Sequence, residues 1–108
     1  MAQLSTAQVQ AHLSNDSVLF IDVRRPDELE AGKLGAKNFL NITHTNVPSE
    51  FAKEAGDFKS AHGIEKPKLE QEIIVYCQKG KRGQMAQNAL IELGYKSVSN
   101  WEGGYSSL

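Results

Sequence analysis

Ile73-Ile74-Val75-Tyr76-Cys77-Gln78-Lys79-Gly80-Lys81-Arg82-Gly83 is the stretch whose reading decides the fold. Its first four residues are apolar and three of them are β-branched, the composition of a strand covered on both faces. The chain then passes its one cysteine and a short basic loop with two glycines. A run from Gln84 to Leu93 with helical spacing follows. Backbone N–H groups at the start of a helix lack internal partners, and the macrodipole adds partial positive charge there. A strand, a tight loop and a helix N-terminus in succession therefore make a place to hold an anion beside a thiolate. Gly80 permits a backbone with positive φ, and Gly83 removes side-chain bulk where the helix begins. Cys77 is the candidate nucleophile, and Gln78, Lys79, Gly80, Lys81, Arg82 and Gly83 form the expected cradle around it. Helix dipoles and neighbouring cations favour an ionised sulfur in such a position.

Upstream, Gln3-Leu4 reads as a short strand. Ser5-Thr6-Ala7-Gln8 is a capping box that starts a helix running to about Leu13. Val18 to Val23 is a second buried strand, interrupted by Asp22. A carboxylate at the end of such a strand needs a partner, so Asp22 is expected to hold neighbouring backbone in place. Arg24 and Glu28, four residues apart, are expected to form an ion pair. Pro26 opens a short helix, and Gly35 to Ile42 reads as a strand. Pro48 to Phe58 reads as a helix and Ser60 to Lys68 as a surface connection. His44 and His62 fall in this region as exposed residues without metal-ligand spacing. Downstream, Met85, Ala86, Ala89, Leu90 and Leu93 share an apolar helix face, which Gly94 ends as a left-handed cap. Lys96 to Ser99 is a last strand, and Trp101 to Tyr105 a glycine-rich turn. Strands alternating with helices predict an α/β domain with a central parallel sheet of about five strands and helices on both faces. Ligands bind beyond the carboxyl ends of strands in such sheets, where Cys77 lies.

The 108 residues are expected to form one domain spanning 1–108. With 12 Lys and Arg against 13 Asp and Glu, the charge balance gives no general case for binding nucleic acid or membranes. The positive field is local, at Lys79, Lys81 and Arg82. A single cysteine excludes an internal disulfide and a cysteine-rich zinc site, and no metal is expected. No apolar run approaches the ~20 residues that span a bilayer. Met1-Ala2-Gln3-Leu4-Ser5 has neither a signal nor a transit pattern. A cytoplasmic monomer is the expectation, with the mitochondrion as the alternative compartment.

Ile21-Asp22-Val23-Arg24 with Glu28, Gly35-Ala36-Lys37-Asn38, Tyr76-Cys77-Gln78-Lys79-Gly80-Lys81-Arg82 and Glu102-Gly103-Gly104-Tyr105 occur in this order. Together they resemble a single-domain rhodanese, a thiosulfate sulfurtransferase. The resemblance implies that Cys77 takes a sulfane sulfur from an anionic donor such as thiosulfate, carries it as a persulfide, and yields it to cyanide, glutathione or a protein thiol. It implies no cofactor beyond that covalent intermediate. The amides from Gln78 to Gly83 would cradle the sulfur, Arg82 would orient the loop, and Lys79 and Lys81 would attract the donor, with Asp22 and Arg24 in support. Related phosphatases and arsenate reductases have one more residue between cysteine and arginine. Four residues intervene here, Gln78 to Lys81, which favours sulfur over phosphate. A phosphatase or arsenate reductase on this fold, or a non-catalytic rhodanese-like binding module, are the rival readings. The family's usual turn histidine is missing from Gly32-Lys33-Leu34-Gly35-Ala36, and Gly83 stands where serine or threonine is common.

Overall fold

Burial follows the continuous apolar runs of two central strands. In the computed structural model, which describes residues 3–108, strand β2 (Val18–Asp22) is buried throughout and strand β4 (Glu72–Tyr76) is buried from Ile73 onward. They pair in parallel, with Leu19 beside Ile73 and Ile21 beside Val75. β3 (Phe39–Asn41) extends the sheet beyond β2, and β5 (Ser97–Trp101) and then β1 (Gln3–Leu4) extend it beyond β4. The order is β1-β5-β4-β2-β3, and every pairing is parallel.

Because successive side chains of a strand point to opposite faces, β2 and β4 feed two cores. Leu19, Ile21, Val23, Ile73, Val75 and Cys77 belong to the larger one. There they meet helices α3 (Val47–Phe51), α4 (Ala55–His62) and α5 (Lys81–Glu92) through Phe51, Phe58, Ala86 and Leu90. Val18, Phe20, Ile74 and Tyr76 point the other way, toward Trp101 and Val9 of helix α1 (Thr6–His12). Helices thus cover both faces, as expected. The Ser5–Gln8 capping box is present, with the Ser5 hydroxyl accepting from Gln8 N–H and the Gln8 amide oxygen from Ser5 N–H. Gly94 takes a φ of +98° just past α5. Met1 and Ala2, which begin the stretch read for targeting, lie outside the described residues.

Several boundaries differ from the sequence reading. The strand expected from Gly35 covers only Phe39–Asn41, and the expected helix from Pro48 to Phe58 is α3 and α4, separated by Ala52–Glu54. α4 runs on to His62, whose ring packs at a tilt against Phe58 and bonds Glu50 at 2.9 Å. His62 and His44 are half-buried, not exposed. β5 reaches Trp101 because that indole is wholly buried and its N–H donates to Thr6. α5 begins at Lys81, so Lys81, Arg82 and Gly83 form its first turn and lie outside the loop. Its buried face is Gly83, Ala86, Gln87 and Leu90, while Met85 and Leu93 are 52% and 41% exposed. Gln87 takes a place on the buried face, where its amide donates to the Val98 carbonyl of β5.

Candidate active site

The strand order places two connections side by side. From β2 the chain passes through the short helix α2 (Pro26–Leu29) toward β3, and from β4 it passes through α5 toward β5 on the other side. The carboxyl ends of β2 and β4 therefore flank a topological switch point, the usual crevice for ligands in open parallel sheets. Asp22 to Arg24 leave one lip and Cys77 to Gly80 the other.

Cys77 is 1% exposed. The loop is short enough for the Gly80 N–H to point back at its sulfur, with N···Sγ of 3.0 Å. Gly80 takes a φ of +103°, and a Cβ there would collide with the Glu102 carbonyl. Only glycine fits both conditions. The C-terminal turn fixes the loop from the other side. Tyr105 N–H donates to the Cys77 carbonyl at 2.8 Å and Ser106 N–H to the Gln78 carbonyl at 2.9 Å. Gly104, with a φ of +66°, makes room for that approach.

The Arg24 guanidinium is buried beneath the loop. It donates to both Asp22 carboxylate oxygens at 2.8–3.1 Å, to Gln78 Oε1 at 3.1 Å and to the Gly32 carbonyl at 3.0 Å. Its Cζ lies 4.4 Å from the centre of the Tyr105 ring. Burial works against the Arg24 charge, and the hydrogen bond and field of Asp22 outweigh it, so its pKa lies above the ordinary value. Asp22 holds the backbone as expected, accepting Arg24 N–H at 2.9 Å.

The expected Arg24–Glu28 ion pair does not form. Asp22 lies closer to Arg24 and is fully buried, so the guanidinium turns inward to it. Glu28 instead receives Arg82 from α5, with Nη1···Oε1 of 2.5 Å and Nη2···Oε2 of 2.9 Å. This bidentate pair bridges the two connections and orients the first turn of α5. The Arg82 hydrogen bond holds the Glu28 carboxyl down at about 2, and the same bond raises Arg82. Lys79 and Lys81 are exposed and, among the described residues, form no ion pair. A pocket of about 300 Å³ opens over the sulfur, lined by Glu28, Cys77, Gln78, Lys79, Lys81 and Arg82.

Of the residues expected at the site, Cys77, Gln78, Lys79, Lys81 and Arg82 line this pocket, Gly80 points its N–H at the sulfur, Asp22 and Arg24 lie buried behind the loop, and Gly83 packs against Asn100. Sequence reasoning missed Glu28 as a pocket residue and the C-terminal turn as a brace on the cysteine backbone. It also missed Asn100, which lies against Gly83. The turn was marked by its glycine pair and, like Glu28, by its place in the family resemblance, but neither signal gave its contacts, and nothing local marks Asn100.

A rhodanese-like domain model matches residues 5–108. The chain belongs to the rhodanese-like family. Among relatives of this rhodanese domain, a human thiosulfate:glutathione sulfurtransferase is 33% identical over 103 residues, 94% of this chain and 88% of its own length. A thiosulfate:glutathione sulfurtransferase of Saccharomyces cerevisiae is 34% identical over 87 residues, 81% of this chain. The chain spans 61% of the length of that yeast protein and of a Schizosaccharomyces pombe relative. The solved structure of a human single-domain sulfurtransferase matches with a TM-score of 0.90 at 31% identity, covering 99% of this chain and 94% of the other. Among the described residues of this rhodanese domain, no helix is long and apolar enough to cross a membrane.

Proposed function

We propose that this rhodanese domain is a thiosulfate-type sulfurtransferase with Cys77 as the sulfur carrier. The observation that carries the reading is the Gly80 N–H aimed at Cys77 Sγ at the base of a pocket rimmed by Lys79 and Lys81. The Cys77 thiolate attacks the outer sulfur of thiosulfate. An S–S bond forms as the donor's S–S bond breaks, and the electron pair leaves with sulfite. The terminal sulfur of the persulfide carries the negative charge, which the Gly80 N–H and the N-terminus of α5 stabilise. An acceptor thiolate or cyanide then attacks that terminal sulfur and the Cys77 thiolate departs, which restores the starting state. No cofactor takes part in either step.

Lys79 and Lys81 attract the dianionic donor. Arg82 contributes less, because Glu28 already neutralises it. The four-residue spacing from Cys77 to Arg82 suits a single sulfur atom better than a tetrahedral oxyanion. The compartment proposed is a reducing one, where the resting Cys77 thiol and a thiol acceptor both stay reduced. A thiosulfate:cyanide assay of the purified protein against Cys77→Ser tests the reading. Transfer should vanish in the variant, and mass spectrometry of donor-treated wild type should show one added sulfur atom on Cys77. Equal rates in the two proteins would refute it.

A further inference from the structure

Asn100 is 1% exposed on β5, in register with Val75 of β4. Its Nδ2 donates to the Gly80 carbonyl at 3.2 Å and to Gln3 Oε1 at 3.0 Å. Its Oδ1 is buried and has no hydrogen-bond partner among the described residues. A buried, unpaired amide oxygen destabilises a fold, and an apolar residue at this strand position would avoid that cost. Nor does the Gly80 carbonyl need the bond, because it already accepts the Gln84 N–H at 3.0 Å as the first helical bond of α5. The second donor adds direction, not satisfaction.

Gly80 is thus held at both of its polar groups. Its N–H faces Cys77 Sγ, and its carbonyl is pulled toward the sheet by Asn100. Together the two contacts fix the φ of +103° that aims the N–H at the sulfur. Gly83 makes this bracing possible, because a Cβ there would collide with Asn100 Oδ1. From this arrangement we infer that Asn100 is a positioning residue for sulfur transfer, holding the Gly80 peptide so that its N–H stabilises negative charge on Cys77 sulfur. The inference rests on the reading of Cys77 as the sulfur carrier.

The pairing of Gly83 with Asn100 supplies its own control. A serine on the first turns of a helix can donate its hydroxyl to the carbonyl three or four residues back, and for position 83 that carbonyl is Gly80. Gly83→Ser combined with Asn100→Ala should therefore replace the lost donor from the other side, in the space the amide vacates.

The test uses the whole chain as wild type, Asn100→Ala, Asn100→Leu and the Gly83→Ser/Asn100→Ala double variant. Asn100→Leu keeps the branched shape without either polar group or a buried charge, so it carries the comparison if Asn100→Ala does not fold. Three readouts are taken: the rate of Cys77 alkylation by uncharged iodoacetamide at one fixed pH, kcat and KM for thiosulfate, and the thermal midpoint. Loss of a direct anion-stabilising donor typically costs roughly 10²–10³ in kcat. Loss of its aim should cost about tenfold in kcat and in alkylation rate, with KM nearly unchanged. The double variant should recover most of both. Unchanged alkylation and kcat in the single variants, with only the thermal midpoint lowered, would overturn the inference, as would a double variant no faster than Asn100→Ala. If wild type transfers no sulfur yet its alkylation rate still falls in the single variants, the positioning role stands and the sulfurtransferase reading fails.

Discussion

At the carboxyl ends of β2 and β4, Asp22 and Arg24 are buried and held by several partners at once. Arg24 alone joins Asp22, Gln78, Gly32 and the Tyr105 ring. At the amino ends of the same strands the charges stand in water. There Asp16 and Lys37 form a pair whose side chains are 72% and 59% exposed, and Gln71 ties the strand starts together through Ser17 and Glu72 carbonyls. Both ends belong to the same parallel ladder, so strand pairing does not distinguish them. The difference lies in desolvation: a charge out of water must keep its partner, whereas a charge in water can lose one at little cost. The end carrying Cys77 is built from contacts of the first kind, which fix atoms in place.

The sharpest way to break this contrast is Arg24→Ala. It leaves the Asp22 carboxylate buried without its counter-charge and frees the Gln78 side chain. Removing one member of a buried pair costs about 3–5 kcal/mol, a large share of a domain's usual stability of about 5–15 kcal/mol. Urea denaturation should show a loss of that size, and a loss near the level of a surface pair would erase the contrast. Gly80→Ala comes next. A non-glycine residue held at positive φ costs about 1–3 kcal/mol, and the new methyl meets the Glu102 carbonyl. The loop must move, so alkylation of Cys77 and sulfur transfer should fall about a hundredfold, more than stability suffers. A variant with wild-type rates would show that the Gly80 N–H does not serve the sulfur.

Some of this was legible in the sequence and some was not, for reasons that separate cleanly. The Cys77 loop could be read because strand, loop and helix are contiguous, and the unbroken apolar runs of β2 and β4 announced a sheet covered on both faces. The Glu28–Arg82 bridge could not, because 54 residues separate its members and Glu28 had a closer apparent partner in Arg24. Burial of Asp22 decided which carboxylate Arg24 would take. The α5 boundary was misread because a Lys-Arg-Gly run looks like a loop until Gly80, in a left-handed conformation, caps the helix. Gln87 and Asn100 were invisible for a related reason. A buried amide that serves a neighbouring strand or loop has the same letter as one facing solvent, and only the topology tells them apart.

The Glu28–Arg82 pair lies between the two extremes, with side chains 19% and 26% exposed. Glu28→Gln should cost about 1 kcal/mol, between a surface pair and a buried one. The pH dependence gives the more specific test. The folded carboxyl is held at about 2, below its ordinary 4.5. Its contribution is therefore fully present above pH 4.5 and is lost as pH falls toward 2. Urea midpoints of wild type and variant should differ most near neutrality and converge over that acid window. Parallel curves would mean that the carboxyl titrates alike in the folded and unfolded chain.

Lys37→Ala should do least, although Lys37 and Asp16 approach to 2.5 Å. A short distance does not make a strong pair when both groups are mostly in water, since solvation rewards the separated charges nearly as well and long side chains lose entropy when held together. The contact that secures this segment is the Lys37 N–H to the Leu13 carbonyl at 3.1 Å, which the substitution leaves intact. Stability should change by no more than about 0.5 kcal/mol, and the small difference should shrink further as salt screens the pair. A loss comparable to that of Arg24→Ala would mean that the amino ends of the strands are held as firmly as the end that carries Cys77.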